Sequence, residues 1–169
     1  MITYFKGDIS DVKAEAIVNA ANAIGYMGGW LGKKIKHQGV AESLHYHTIG
    51  VVEKEAKKVV WKTRPKVGQV YVTSAANLEA NYIFHAVTMF FPGTLSSITV
   101  VEKCILSLLE TIKQYDIKSI AIPALGTGTG RVDKEEVAKL YKKYFSNQKE
   151  LTVIIVDPSG NFINLLEKA

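Results

Sequence analysis

Short apolar runs and longer amphipathic stretches alternate along this chain. Residues 2–5 and 14–20 read as strands, the second almost wholly apolar, as a strand covered on both faces would be. Residues 67–74 and 82–87 are rich in β-branched and aromatic side chains and predict two more strands. Residues 119–123 and 151–156 bring the set to six. Ile98, Val101, Ile105, Leu108, Leu109 and Ile112 recur at helical spacing, which predicts an amphipathic helix of about five turns. Residues 42–60 read as one helix running through Gly50, residues 31–37 as the opening of a shorter one, 133–145 as a helix and 161–168 as a short terminal one. Strands alternating with helices imply a three-layer α/β/α sandwich around a largely parallel sheet of about six strands. No repeat or linker interrupts it, and the stretch holding Pro92 and Gly93 is a loop. Residues 1–169 therefore form a single domain.

Composition narrows the class. The chain has 169 residues, 47% of them apolar and 22% charged, which suits a packed core. Its single cysteine, Cys104, excludes an internal disulfide and a cysteine-cluster metal site. No apolar run reaches the roughly 18–20 residues that span a bilayer. Lys6 and Asp8 come before any signal-type apolar stretch. The expectation is a soluble, cytoplasmic protein with no membrane contact. The net charge of +5 and a pI near 9.2 favour an anionic partner. Much of that charge lies in Lys-rich stretches at 33–36, 54–58 and 139–149, which read as solvated helix faces.

Three segments could carry chemistry. Gly126, Thr127, Gly128, Thr129 and Gly130 follow the strand at 119–123. They precede a helix whose start is marked by Asp133 and Glu136, a capping-box pattern. Glycines at alternate positions let backbone N–H groups turn toward an anion, where open α/β sheets place phosphates. The spacing is neither that of a Walker loop nor that of a dinucleotide fingerprint. Asn19, Ala20, Ala21 and Asn22 end the second strand shortly before Gly28 and Gly29. Asn22 there suits sugar hydroxyls, or a turn held by Asn side chains. Gly7, Asp8 and Ile9 follow the first strand. Asp8 could accept from an exocyclic amine while the Ile9 N–H serves a ring nitrogen, or it could simply cap a turn.

In this order the three segments resemble the macro domain, the family that binds ADP-ribose and processes ADP-ribose-1″-phosphate. The resemblance extends to Val70, Tyr71, Val72 and Thr73 and to residues 82–87, and so covers nearly the whole chain. It implies a mixed sheet between helices whose crest binds ADP-ribose, free or attached to an acceptor. It makes Asp8 the adenine-amine acceptor and Ile9 its backbone partner. It places the distal ribose on Asn22 beside Ala21. It assigns Gly28, Gly29, Trp30 and Leu31 to a first phosphate loop and 126–130 to a second. Val156 and Asp157 would flank adenine. An aromatic is common at that place, and Phe162 is the candidate to stack instead.

The departures concern catalysis. The family's first loop commonly reads Gly-Gly-Gly-Val, followed in the hydrolase branch by an aspartate. On this placement Trp30 replaces the third glycine and Gly32 the aspartate, so a mechanism here would rest on a water held by Asn22 and activated by a diphosphate oxygen. His37 reads as a solvent-facing side chain that could approach a phosphate. His45 and His47 point to different helix faces and share no metal. His85 reads as a core histidine, and Arg131 as a further phosphate contact. Ser74, Ser159 and Cys104 lack a base-and-orienter pattern. No cofactor or metal is expected. The partner implied is ADP-ribose or an ADP-ribosylated substrate, bound by a hydrolase or by a non-catalytic reader. Nucleic acid is a distant third, because Arg64 and Arg131 are the only arginines. The sequence carries no signal for oligomeric state.

Overall fold

The computed structural model describes residues 1–168. Its strands are β1 (Ile2–Phe5), β2 (Ala16–Asn22), β3 (Val70–Ser74), β4 (Tyr82–Met89), β5 (Ser119–Pro123) and β6 (Thr152–Val156). Its helices are α1 (Gly29–Gly32, one turn), α2 (Val40–His47), α3 (Val51–Thr63), α4 (Ile98–Gln114), α5 (Lys134–Phe145) and α6 (Asn161–Lys168), with a 3-10 turn at Ile9–Asp11. The strands form one sheet in the order β1-β6-β5-β2-β4-β3, parallel except for β3, which runs antiparallel to β4. The expected mixed, largely parallel six-stranded sandwich is the fold observed.

Strand alternation decides how the layers meet. Ala16 and Val18 of β2, Phe84 and Ala86 of β4, Ile120 and Ile122 of β5 and Val153 and Ile155 of β6 point to one face. They pack there with Val101, Cys104, Ile105, Leu108 and Ile112 of α4, and with α5 and α6. Ile17, Ile83, Ala121 and Val156 point to the other face, against Leu44 of α2 and Val52 of α3. The central strands β2 and β5 are buried nearly throughout, which is why they read as continuous apolar runs.

Two helix expectations are corrected. The single helix over 42–60 is two helices, because Ile49 and Gly50 both take left-handed backbone angles (φ 51° and 78°) that end α2 and turn the chain into α3. The apolar period runs across this break and hides it. The helix over 31–37 is reduced to the single turn α1, and residues 33–39 are irregular. The second strand also starts two residues later than the apolar run and extends through Asn22.

Parallel strands put their carboxyl ends on one edge of the sheet. The segments after β1, β2, β4, β5 and β6 all emerge there, and open α/β sheets bind ligands at this edge.

Candidate functional site

A cavity of about 890 Å³ opens along that edge. Its wall includes Asp8 and Ile9 after β1, Ala21 and Asn22 at the end of β2, residues 126–130 after β5, and Val156 and Asp157 after β6. Eleven residues drawn from four separate segments of the sequence thus share one wall. The volume lies in the range of small-molecule sites, roughly 300–1,000 Å³.

Asp8 caps the 3-10 turn through the Ser10 N–H (2.9 Å) and also accepts from the Ser43 hydroxyl (2.6 Å), while its other oxygen pairs with the Lys36 ammonium at 2.7 Å. Burial works to raise its pKa. The Lys36, Ser43 and Ser10 hydrogen bonds, with the Lys36 charge, outweigh burial and bring it to about 2. Asp8 is thus an ionised acceptor on the cavity wall, and a turn cap as well. The Lys36 and Ser43 contacts span 28 and 35 positions, so sequence reading missed them.

The loop after β5 rests on a buried hydroxyl. Tyr141 of α5 donates to the Pro123 carbonyl and accepts from the Leu125 N–H at 3.1 Å. Gly126 takes a left-handed angle (φ 74°), and its carbonyl accepts from Val132 N at 2.9 Å. The Gly128 and Gly130 carbonyls accept from Arg131 and Ser96 N–H groups, both at 3.0 Å. Their own N–H groups and that of Thr129 donate to no described residue. Three successive donors without a protein acceptor thus lie in residues of the cavity wall, a pattern suited to an anion.

Asn22 lines the cavity, but its amide is turned onto the following loop. Its nitrogen donates to the Tyr26 carbonyl (2.7 Å), and its oxygen accepts from Ile24 N (3.2 Å) and Tyr26 N (3.1 Å). One amide hydrogen is left for a ligand. Asp157 is similarly engaged: its two oxygens accept from the Ser159 N–H and hydroxyl and from Phe162 N, which fastens the turn into α6. Phe162 is buried edge-on against Tyr141, 5.4 Å between ring centroids, so it does not stack on a ligand in the cavity.

Gly28, Gly29, Trp30 and Leu31, expected in the first phosphate loop, do not line the cavity. The space beside these glycines is filled by side chains. A Cβ at Gly28 or Gly32 would meet the His45 ring at 3.0 or 2.9 Å, and one at Gly29 would meet the Tyr26 ring at 3.3 Å. His45 shares a hydrogen bond with the Gly29 carbonyl (2.7 Å), and Glu53 accepts from Met27 N and Gly29 N at 2.7 and 3.0 Å. Trp30 is 67% exposed, with the Lys34 ammonium over its ring. Gly28 and Gly32 thus give room to the buried His45, and Gly29 to Tyr26.

The wall expected from that loop is built instead by residues 36–43, ending in the first turn of α2. Gly39, Val40 and Ala41 lie on this wall. The signal in the sequence was the glycine directly ahead of an amphipathic run. It was masked by the stronger Gly28–Gly29 pair. His37 is exposed on this segment, as expected, and also lines the cavity. Arg131 is exposed off the wall, and the cavity's cations are Lys36 and Lys134.

Several residues stand outside this chemistry. His85 is fully buried, bonded to Asn19 and Thr73 and stacked on Tyr71 at 4.4 Å. Cys104 is buried, which pushes its thiol up to about 12. Ser74 is held by Glu55. Among the described residues no group of three or more His, Cys, Asp or Glu side chains is arranged to hold a metal ion. No described helix is long and apolar enough to cross a membrane.

A cleft at the carboxyl edge of a parallel sheet, with an ionised acceptor in one wall and an anion cradle in another, defines a binder of phosphate-bearing small molecules. The family model described as Macro domain matches residues 18–141, and the chain belongs to that family. The chain is 35% identical over 170 residues to an uncharacterized protein of Aquifex aeolicus, a match covering 99% of this chain and 96% of that one. It is 26% identical over 161 residues to a Mycobacterium tuberculosis protein named DNA ADP-ribosyl glycohydrolase. That match covers 95% of this chain but 43% of the longer protein. Among solved structures, the macrodomain of M. tuberculosis DarG aligns with a TM-score of 0.79 at 24% identity, covering 94% of this chain and 98% of that one. A Trypanosoma brucei macrodomain in complex with ADP-ribose aligns at 0.74 and 19% identity, covering 99% and 68%. At these identities the structural likeness is one of fold.

Proposed function

We propose that the cleft binds ADP-ribose and that the protein hydrolyses the bond joining ADP-ribose to an acceptor. The observation that carries this reading is the single cavity of about 890 Å³ holding both Asp8 and the N–H groups of 128–130. Asp8 accepts from the adenine amine beside Ile9. The diphosphate lies between the 126–130 loop and the turn at Gly39, with Lys36 and Lys134 adding positive charge. The distal ribose then reaches the remaining Asn22 amide hydrogen. Lys36 has to share Asp8 with the adenine or release it, and its ammonium is then free for a phosphate. The carriers that fit are ADP-ribose-1″-phosphate, O-acetyl-ADP-ribose and ADP-ribosylated macromolecules. The name of the mycobacterial relative supports DNA among the macromolecules.

Overnight incubation with each of these substrates, followed by chromatography of the soluble products, tests the reading. The account expects release from at least one of them. Saturable ADP-ribose binding with no product from any would make the protein a reader of the modification.

A further inference from the structure

Beside the cleft, lysines and exposed aromatic rings gather on one surface. On α3, Lys54, Lys58 and Lys62 recur at four-residue spacing and are exposed, and Trp61, 82% exposed, stands one turn beyond Lys57. The helix's two acidic residues leave that charge standing. Glu53 is buried, accepting from Met27 N, Gly29 N and the Lys57 ammonium, and Glu55 is held by Ser74 of β3. The segment after β2 extends the surface. A Cβ at Gly25 would meet the α3 backbone at Ala56 and Lys57 (3.1 Å), and this close approach sets the exposed Tyr26 ring 5.8 Å from the Lys57 ammonium. Trp30 follows with the Lys34 ammonium 4.4 Å from its ring, and the Lys33 side chain lies over Gly50 at the start of α3. Lys33, Lys34, Lys54, Lys58 and Lys62 pair with no carboxylate among the described residues. Tyr26 also lines the cavity, so this surface begins at the mouth of the cleft.

We propose that this surface docks single-stranded nucleic acid. An exposed ring flanked by ammonium groups gives a base a face to stack on and the neighbouring phosphate a counter-charge. Only unpaired bases can use such rings, which singles out a single strand over a duplex. An acidic peptide would answer the lysines and leave the three rings unused. In the sequence the lysines read as solvated helix faces, because Tyr26, Trp30 and Lys34 lie in a different segment from α3 and only the fold brings the two together. Such docking does not require ADP-ribose in the cleft. Where the ADP-ribose reading also holds, a strand on this surface leads past Tyr26 toward Asn22, whose amide is bonded to the Tyr26 backbone, and delivers there an ADP-ribosyl group that it carries.

The test is fluorescence anisotropy of a labelled oligothymidylate of about 16 nucleotides, with wild type, Trp61→Ala and the double variant Lys54→Glu/Lys58→Glu. Melting temperature and calorimetric ADP-ribose affinity are measured for each. Wild type is expected to bind saturably, with an affinity that falls as salt rises. Trp61→Ala should weaken binding by about fivefold or more, the low end for a lost base–ring stack. Lys54→Glu/Lys58→Glu should weaken it by at least about tenfold and make the salt dependence shallower. All three positions are exposed and off the cavity wall, so melting temperature and ADP-ribose affinity should match wild type. Unchanged strand affinity in either variant overturns the proposal, and so does equal affinity for a duplex of the same length. Polyglutamate or phosphatidylserine vesicles bound as tightly as the strand also overturn it, since charge alone would then account for the surface. A wild type that binds ADP-ribose but no strand overturns the docking surface and leaves the cleft reading standing. One that binds the strand but no ADP-ribose supports the surface and overturns the cleft reading.

Discussion

Asp8 and His85 are both held below their ordinary pKa values, for opposite reasons. Asp8 is lowered by its partners against the pull of burial, whereas His85 is lowered by burial, to about 3. The first is an exposed-side acceptor kept charged. The second is a neutral core group that fixes Asn19, Thr73 and Tyr71 where β2, β3 and β4 meet. Both should cost stability in acid, in different windows. The unfolded chain takes up a proton at His85 below about 6.5 while the folded chain resists it down to about 3, so stability is lost as pH falls through that range. Asp8 adds its loss only between about 3.8 and about 2. Urea unfolding between pH 7 and 4 should therefore lose up to about 1.4 kcal/mol per pH unit through His85. His85→Phe should be less stable at pH 7, because Asn19 and Thr73 lose a partner, yet show a shallower slope. An equal slope in both proteins would contradict the assignment. The role of His85 was legible from alternation within its strand. The state of Asp8 was not, since it depends on Lys36 and Ser43.

At the scale of elements, the two glycine-rich segments show what sequence can and cannot give. The 126–130 loop was legible because a buried strand and a capped helix bracket it, which fixes both its place and its orientation. The Gly28–Gly29 pair looked alike, but glycine reports only that a side chain is not tolerated. The reasons there are positive φ angles (149° and 63°) together with the His45 ring at Gly28, which arrives from a helix more than ten residues on, and the Tyr26 ring at Gly29. The break at Gly50 was hidden in the same way, by an apolar period that continues across it. Gly128 separates the two meanings of glycine within one loop. A Cβ there meets nothing within 4 Å and its φ is ordinary, so Gly128→Ala should leave the melting temperature within about 2 °C of wild type. If the diphosphate lies against the free N–H groups, the added methyl should still weaken ADP-ribose binding by at least about tenfold, roughly 1.4 kcal/mol. Unchanged affinity in a folded Gly128→Ala would place the ligand away from this loop.

For the whole molecule, the topology does most of the positioning. Five parallel strands deliver five loops to one edge, and the antiparallel β3 lies at the far side of the sheet, where it contributes nothing to the cavity wall. This arrangement follows from strand alternation and apolar runs, which is why the fold was readable from sequence. The walls of the cleft depend on which loops touch across it, and there the reading assigned Gly28, Gly29, Trp30 and Leu31 to a wall they do not line and missed residues 38–43. The central claim is that this cleft takes ADP-ribose, with Asp8 as the anchor for adenine. The most direct measurement is a calorimetric titration of ADP-ribose into wild type and Asp8→Ala. The account predicts one site per chain with micromolar affinity in wild type, about −8 kcal/mol. It predicts binding weaker by about 1.5–3 kcal/mol in Asp8→Ala, the scale of a lost hydrogen bond to a charged group. No saturable heat with wild type, or equal affinity in the two proteins, would contradict it.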